Sequence, residues 1–248
     1  MSIPPLYDEI GRHYATRRRT DPRWAAQITT ALGDASSVIN IGAGTGSYEP
    51  PDRSVVAVEP SEVMLAQRAP GSAPAVRAVA EHLPFPDAAF DASLALLTVH
   101  HWQDLAAGIA EMRRVAGRRI VLTYDPELHA EFWFVRDYLP ELLSLEMHRV
   151  GAVADLAAAM GADRVVVLPV YRDLADGVLP AYWCRPEAYL DPIVRANCSA
   201  LTLLDPRVVD EGVARLAADL RSGAWSERNT ALRGLDEIDA GFRLLVSG

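Results

Sequence analysis

The chain has 248 residues, of which 50% are hydrophobic, and this is enough to bury a sizeable core in one large domain. Its formal net charge of −9 argues against a broad binding surface for nucleic acid or for an anionic membrane, so we expect neither as a partner. The 2 cysteines lack zinc-ligand spacing, the N-terminus has no signal-peptide pattern, and no apolar run is long enough to span a bilayer, so we expect a metal-free cytoplasmic protein.

An amphipathic helix is predicted near the N-terminus, at residues 22–32. Its apolar side chains recur at four-residue spacing: Trp24, Ile28 and Leu32. Asp21 is a suitable N-cap and Pro22 favours the first helical position, so the helix should begin there.

Two short β-branched runs follow, and each ends in residues suited to ligand binding. Residues 38–41 lead into a glycine turn, Gly-Ala-Gly-Thr-Gly at 42–46, and residues 55–58 end at Glu59. As buried parallel strands, the runs would bring the turn and the carboxylate to one edge of a sheet. Glycines allow positive φ, so a ligand can lie against the backbone with N–H groups pointing at it. A carboxylate beyond the next strand can accept hydrogen bonds from a ribose diol, so we predict a nucleotide-like or amino-acid-like ligand.

The connection between these two strands is expected to be short. A helix usually follows a ligand-binding glycine turn, but Pro50 and Pro51 forbid a regular helix here. The helix N-terminus that would normally face the ligand is therefore in doubt. After the second strand, Ser61 should cap a helix that runs to Arg68, in which Met64 is either core or part of the ligand cavity.

The rest of the chain alternates between strands and helices. Strands are predicted at 75–79, 92–97, 119–124, 165–170 and 242–246, and helices after Asp104 and at 152–160 and 207–220. The stretch 128–148 is aromatic-rich, 172–191 is irregular, and most of the aromatic side chains there should be core. This alternation indicates an α/β fold with a mostly parallel sheet and an elaborated C-terminal half.

Three segments, in this order, resemble the class I S-adenosylmethionine-dependent methyltransferases, in particular the small-molecule branch similar to the ubiquinone and menaquinone C-methyltransferases. They are Val-Ile-Asn-Ile-Gly-Ala-Gly-Thr-Gly, Val-Ala-Val-Glu-Pro-Ser-Glu-Val-Met-Leu and Ala-Glu-His-Leu-Pro-Phe-Pro-Asp-Ala-Ala-Phe-Asp-Ala, all within residues 36–125. The resemblance implies a Rossmann-like, doubly wound sheet of seven strands, mostly parallel with an antiparallel last strand, and helices on both faces. It does not imply a particular acceptor.

The resemblance also implies S-adenosyl-L-methionine as cofactor, with S-adenosyl-L-homocysteine as product, and no metal. The cofactor-binding residues that it implies lie at strand ends and in the N-terminal segment: Tyr14, Arg18, Gly42, Ala43, Gly44, Gly46, Glu59, Pro60, Ala80, Glu81 and Leu97. Glu59, which we expect to be partly exposed, would hold the ribose diol, and the Ala80 backbone would face the adenine edge. Glu81 either stands near the adenine or is a surface acid.

The N-terminal segment has two possible interpretations. By resemblance, residues 1–33 form a lid over the cofactor, in which Tyr14 closes the site and Arg18 meets the methionine carboxylate bidentately. Alternatively, the arginines are a solvated turn. In either case we expect one methyltransferase domain, with the cofactor-binding half at 34–125 and a substrate-side elaboration with the closing strands at 126–248.

The segment after strand four holds the candidate catalytic residues. His100 and His101 follow Leu97, where the resemblance implies that a small-molecule acceptor meets the methyl group. A neutral imidazole with a pKa of about 6.5 can take the proton that an oxygen or nitrogen acceptor releases. Of the two we favour His100, the nearer to the strand end. Alternatively, one histidine bonds the backbone, Trp102 packs beneath it, and alignment alone suffices.

Two other functions stay open at this point. A nicotinamide-dependent oxidoreductase uses a similar sheet, but Ser47 replaces the third glycine of its motif and proline breaks the following helix. A binding protein that keeps the ligand without turnover has the same sequence features, because a fold alone does not imply chemistry. The acceptor, the methylated atom, and whether the protein is a monomer or a homodimer are not determined by sequence.

Overall fold

The structure is a computed structural model that describes residues 19–196 and 198–248, without the side chains of 148 and 149. Its strands are β1 (Ser37–Ile41), β2 (Ser54–Val58), β3 (Ala75–Val76), β4 (Phe90–Leu96), β5 (Ala116–Tyr124), β6 (Arg164–Val167), β7 (Val170–Tyr171), β8 (Glu237–Ile238) and β9 (Phe242–Ser247). Tyr14 and Arg18, the two residues assigned to the lid, lie outside the described residues, whereas residues 19–33 of the same segment are described.

The helices lie between these strands and concentrate in the C-terminal half. They are α1 (Pro22–Leu32), α2 (Glu62–Ala66), α3 (Leu105–Val115), α4 (Pro126–Ala130), α5 (Trp133–Tyr138), α6 (Glu141–Val150), α7 (Val153–Met160), α8 (Pro192–Ala196), α9 (Ser199–Thr202), α10 (Pro206–Ser222) and α11 (Ala224–Arg228). Short 3₁₀ turns occur at Val99–His101, Leu179–Tyr182, Pro186–Leu190 and Thr230–Gly234. Within the described ranges, no helix is both long and apolar enough to cross a membrane.

Seven strands form one sheet in the order β3-β2-β1-β4-β5-β9-β6. The pairs among the first five strands of that order are parallel, and β9 runs antiparallel to both of its neighbours. The strand order reverses between β1 and β4, where ligands bind in open α/β sheets because the loops diverge there. The predicted fold class is confirmed, including the antiparallel closing strand.

Helix α1 forms as its sequence predicts. The Asp21 carboxylate accepts a hydrogen bond from the Arg23 backbone N–H, and Pro22 occupies the first turn. Trp24, Ile28 and Leu32 are buried against the sheet, so the four-residue spacing marks the face that packs on the core.

Several element boundaries differ from the prediction. The third strand covers only Ala75–Val76, and the helix that Ser61 caps ends at Ala66 instead of Arg68. The strand predicted at 165–170 is divided into β6 and β7, because Pro169 has no N–H to continue the ladder. By contrast, the stretch between β1 and β2 has no helix, as the two prolines predict.

The aromatic-rich segment after β5 belongs to the hydrophobic core that α1 and the sheet also build. Phe132, Trp133, Phe134 and Tyr138 are all buried, in line with the expectation that most of them pack. The Phe134 ring stacks on Tyr189 with centroids 4.0 Å apart, and the Trp133 indole N–H donates to the Trp183 carbonyl at 2.9 Å. This core fixes α4, α5 and α6 beside the carboxyl end of β5.

Candidate functional site

A cavity of about 160 Å³ opens at the carboxyl ends of β1, β2 and β4. Its lining comes from the glycine turn, the residues after each strand and the 3₁₀ turn beyond β4: Asn40, Gly42, Ala43, Gly44, Thr45, Ser47, Tyr48, Glu59, Pro60, Met64, Val79, Ala80, Glu81, Leu96, Leu97, Thr98, His101, Trp102 and Gln103. We call it the first cavity. Its position is the one that the strand order of the sheet predicts for a ligand.

The glycine turn is held by hydrogen bonds inside the protein. The N–H groups of Gly42 and Ala43 both donate to the Val58 carbonyl, at 2.8 and 3.0 Å, and that of Gly46 donates to the Ala43 carbonyl. All three glycines of the turn have positive φ, and a Cβ at Gly42 would collide with the Thr98 side chain. The expectation that the backbone N–H groups of this turn point at the ligand is therefore wrong for these positions.

Glu59 closes the back of the first cavity and is almost fully buried, at 5% exposure. Its carboxylate accepts hydrogen bonds from the backbone N–H of Gly44 at 2.8 Å and of Ser61 at 2.9 Å. The expectation of a partly exposed acid is wrong, because β2 ends inside the cavity rather than at the surface. The bonds to two N–H groups fix the direction of the carboxylate before any ligand arrives.

The glycine turn is also held by an ion pair between Arg68 and Glu49, which the sequence did not lead us to predict. The Arg68 guanidinium donates to both carboxylate oxygens of Glu49 at 2.8 Å and to the Gly44 carbonyl at 3.3 Å. The Asn40 side chain also donates to Glu49, at 3.2 Å. Asn40 was the available signal, since a polar residue inside a buried strand needs a partner.

Tyr48 joins the glycine turn to distant segments of the chain. Its backbone has φ of 63°, which is rare for a residue other than glycine. Its backbone N–H donates to the Thr20 hydroxyl at 3.0 Å, and its own hydroxyl donates to the Asp176 carboxylate at 3.0 Å. Asp21 adds a second link, because its carboxylate accepts the Ala175 N–H at 3.0 Å.

Met64 and Glu81 are two residues for which the sequence left alternatives open, and both line the first cavity. Met64 is buried and also lines the first cavity, so it is core and wall at once. Glu81 lines the cavity too, but its carboxylate accepts the N–H groups of Gln103 at 2.7 Å and Asp104 at 3.1 Å. Glu81 therefore fixes the loop before α3.

A second, smaller cavity of about 60 Å³ lies on the other side of Leu97, the one residue common to the linings described for the two. It is lined by His100, Tyr124, His129, Glu146, Val178, Leu179, Cys198, Ser199, Ala200 and Phe242 in addition to Leu97. Leu97 has φ of 54°, and its N–H donates to the Leu122 carbonyl at 2.8 Å. The left-handed backbone of Leu97 thus stands at the boundary between the cavities.

The two predicted histidines divide between the cavities. His101 lines the first and His100 lines the second, with their ring centroids 4.0 Å apart. Beyond His100, the Tyr124 ring is 5.6 Å away, and the His129 ring is 4.9 Å from that of Tyr124. Trp102 packs on α3 at Gly108, where a Cβ would collide with the indole, and it also lines the first cavity.

The structure brings most of the predicted cofactor residues together. Those that line the first cavity are Gly42, Ala43, Gly44, Glu59, Pro60, Ala80, Glu81 and Leu97. Gly46 lies behind the turn, where a Cβ would come within 3.2 Å of the Glu49 carboxylate. In the described ranges, no group of three or more His, Cys, Asp or Glu side chains could hold a metal.

Comparisons with known proteins agree with this geometry. Residues 39–119 match the family model described as a methyltransferase domain. A ubiquinone/menaquinone biosynthesis C-methyltransferase of Geobacter sulfurreducens is 29% identical over 143 residues, which are 50% of this chain and 55% of that protein. A demethylmenaquinone methyltransferase of Mycolicibacterium gilvum is 28% identical over 196 residues, 73% of this chain and 86% of that protein. The chain thus spans only about half the length of the Geobacter relative.

Solved structures extend the likeness over nearly the whole chain. A protein of Anabaena variabilis, described as a methyltransferase from an antibiotic biosynthesis pathway, is 30% identical with a TM-score of 0.86, covering 94% of this chain and 99% of that one. The [4+2]-cyclase SpnF has a TM-score of 0.51 at 15% identity, which shows a shared fold alone. Because the likeness to the Anabaena protein covers sequence and fold together, the chain belongs to the class I S-adenosylmethionine-dependent methyltransferases.

Proposed function

We propose that the first cavity binds S-adenosyl-L-methionine and that the protein transfers its methyl group to a small molecule held in the second cavity. The observation that carries this proposal is the glycine turn, whose N–H groups at Gly42, Ala43, Gly44 and Gly46 donate within the protein. A pyrophosphate needs such N–H groups and a helix N-terminus behind them. S-adenosylmethionine carries no phosphate, so this turn suits it and does not suit a dinucleotide.

The residues around the first cavity fit the proposed cofactor. The Glu59 carboxylate, fixed by two N–H groups, is the group that we assign to the ribose diol. Gly44 lets the ligand pass close to the backbone, and Met64 would lie against the adenine together with the segment at Ala80. We keep Pro60 and Leu97 as contacts, Gly46 as support of the turn, and Tyr14 and Arg18 as the proposed lid.

When bound, S-adenosylmethionine supplies a methyl group on a positively charged sulfur. The chain's own part is to align the acceptor in line with that group and to exclude water. Leu97 and the 3₁₀ turn at Val99–His101 form the boundary at which the two cavities meet. Of the predicted catalytic pair, we retain His100 on the acceptor side and assign His101 to the cofactor side.

The acceptor that fits this arrangement is a small molecule. The second cavity has a volume of about 60 Å³ and apolar walls from Leu97, Leu179 and Phe242, which does not suit a nucleic acid or a protein surface. The net charge of −9 also disfavours a nucleic acid.

The test is a thermal-shift measurement with the product S-adenosylhomocysteine and with NAD. S-adenosylhomocysteine at about 100 times its Kd should stabilise the folded protein by about 2.7 kcal/mol, because it binds the folded state only. NAD at the same concentration should give no shift. A reproducible shift with NAD and none with S-adenosylhomocysteine would contradict the proposal. Release of S-adenosylhomocysteine with a panel of one-ring hydroxyl and amine compounds then separates an enzyme from a protein that binds without turnover.

A further inference from the structure

Two titratable side chains are buried together in the second cavity, and neither belongs to the predicted motifs. His129 of α4 is 3% exposed and Glu146 of α6 is 2% exposed, and His129 Nε2 lies 3.9 Å from Glu146 Oε1. A buried pair of this kind costs desolvation energy and contributes little net stability. Buried titratable groups that face a cavity are typical of functional sites, so the pair needs an explanation from function.

Hydrogen bonding determines which nitrogen of His129 can accept a proton. Nδ1 lies 3.2 Å from the carbonyl oxygen of Ala240, and a carbonyl oxygen only accepts hydrogen bonds. Nδ1 therefore carries the hydrogen in the neutral ring, and Nε2 keeps its lone pair. Nε2 is also the atom nearest the Glu146 carboxylate, which would stabilise the imidazolium formed when Nε2 takes a proton.

The walls of the cavity indicate what kind of molecule it admits. Tyr124 and Phe242 present rings, Leu97, Val178 and Leu179 are aliphatic, and the volume is about 60 Å³ against about 160 Å³ for the first cavity. The titratable groups facing His129 are Glu146 from α6, His100 from the 3₁₀ turn after β4, Tyr124 from β5, and Cys198 before α9. A small ring with one polar group matches these walls better than a polar or charged molecule.

We propose that His129 and Glu146 form the proton-accepting pair for the acceptor, and that the acceptor is a small, largely apolar molecule of the phenol class. The inference rests on the proposed function, since it assigns the second cavity to the acceptor. In the reaction, a carbon–oxygen bond forms to the methyl group and the carbon–sulfur bond breaks, with its electron pair staying on sulfur. The hydroxyl proton passes to His129 Nε2, which leaves an imidazolium beside the Glu146 carboxylate.

This assignment is electrostatically consistent. After transfer, the His129 imidazolium lies beside the Glu146 carboxylate, so the positive charge that forms in this buried site has a negative partner. His100, with its ring 5.6 Å from Tyr124, then lies between the pair and the first cavity as an acceptor contact.

The test uses 4-nitrophenol, whose phenolate absorbs visible light and whose neutral form does not. The full-length protein, saturated with S-adenosylhomocysteine, is titrated with 4-nitrophenol at a pH one unit below the midpoint of the free phenol. We expect a saturable phenolate signal from the wild type, because bound phenol gives its proton to the pair. His129→Gln and Glu146→Gln should each reduce that signal by about tenfold or more, since each removes one half of the pair.

Glu141→Gln is the matched control, because it makes the same chemical change on the exposed side of the same helix. It should keep the full signal. Affinity for S-adenosylhomocysteine is measured in parallel for every variant and should not change. If the wild type binds S-adenosylhomocysteine but gives no phenolate signal, this inference is wrong and the proposed function is intact. If the wild type does not bind S-adenosylhomocysteine, the proposed function is wrong.

A second readout does not depend on the stability of the variants. In wild type with ¹⁵N-labelled histidine, addition of 4-nitrophenol should convert His129 from a ring with one N–H to a ring with two. The resonances are assigned through His129→Gln, or through the Glu146→Gln shift if the former does not fold. If His129 stays singly protonated while phenol is bound, the pair does not take the proton and the inference is wrong.

Discussion

The two cavities on either side of Leu97 are built in different ways. The first is made largely of backbone and of residues directly after strands, such as the glycine turn after β1 and Glu59 after β2. The second is made of side chains from several segments that are far apart in sequence, from His100 to Phe242. A site built by a strand end can be located from a short motif, whereas a site built by long-range packing cannot.

The largest loss of folding stability is expected from adding a side chain to the glycine turn of the first cavity. Gly42→Ala would place a Cβ against the Thr98 side chain at φ of +69°, whereas Gly71→Ala has φ of +85° and no atom within 4 Å of the added Cβ. Both variants incur the left-handed backbone cost of about 1–2 kcal/mol, but only the first adds a collision. Urea unfolding should show a loss above about 3 kcal/mol for Gly42→Ala. Equal losses for both would mean that the turn tolerates a side chain.

The next effect concerns Glu59, one of the two acidic side chains in the lining described for the first cavity. Glu59→Gln should weaken affinity for S-adenosylhomocysteine by about tenfold or more, because the amide is uncharged and its nitrogen would face the N–H of either Gly44 or Ser61. Glu62→Gln is the control, since Glu62 is exposed and pairs with Arg77 on the surface. Calorimetry measures both. Unchanged affinity in Glu59→Gln would assign the ribose to other residues.

Some loss of folding stability should accompany Glu59→Gln. The carboxylate is buried and accepts the Ser61 N–H as well, so the variant should lose about 1–2 kcal/mol of unfolding free energy. A variant that loses affinity without any loss of stability would show that the carboxylate serves the ligand alone.

The smallest effect tests the side-chain packing of the C-terminal region. Burial, together with the hydrogen bond to Asp219, raises the pKa of Tyr138 to about 12. Because the pKa of tyrosine in the unfolded chain is about 10, this contribution to stability is complete below pH 10 and is lost as the pH rises toward 12. Tyr138→Phe should cost about 1 kcal/mol at pH 7, and its unfolding free energy should fall less steeply than that of wild type between those pH values. Parallel profiles would contradict the role of this hydroxyl.

The sequence predicted the sheet, α1 and the first cavity because these depend on local patterns. Residues 38–41 and 55–58 are β-branched runs, and the two prolines at 50 and 51 forbid a helix, so neighbours along the chain determine the structure. The length of β3 was predicted less well, since only its first two residues find partners on β2. The strand at 165–170 was predicted as one piece, although Pro169, which has no N–H to donate, could have indicated the break between β6 and β7.

The second cavity was not predictable for a different reason. His129 in α4 and Glu146 in α6 are separated in the chain by α5, which packs on α10, and they meet because α4 packs against α6. No spacing between the two residues marks them as a pair, and each alone has the pattern of an ordinary core or surface residue. The same holds for the link from Tyr48 to Asp176, which depends on where the 3₁₀ segments are packed.

The position of Leu97 has a consequence for how such a protein can change over generations. The first cavity is lined by residues between Asn40 and Gln103. Most residues of the second cavity come from His129 onward, and the exceptions are Leu97, His100 and Tyr124. Substitutions in the later half of the gene can therefore reshape one cavity without touching the other. If the second cavity holds the acceptor as proposed, selection for a new acceptor would act on the helices after β5, and the half that lines the first cavity could be inherited unchanged.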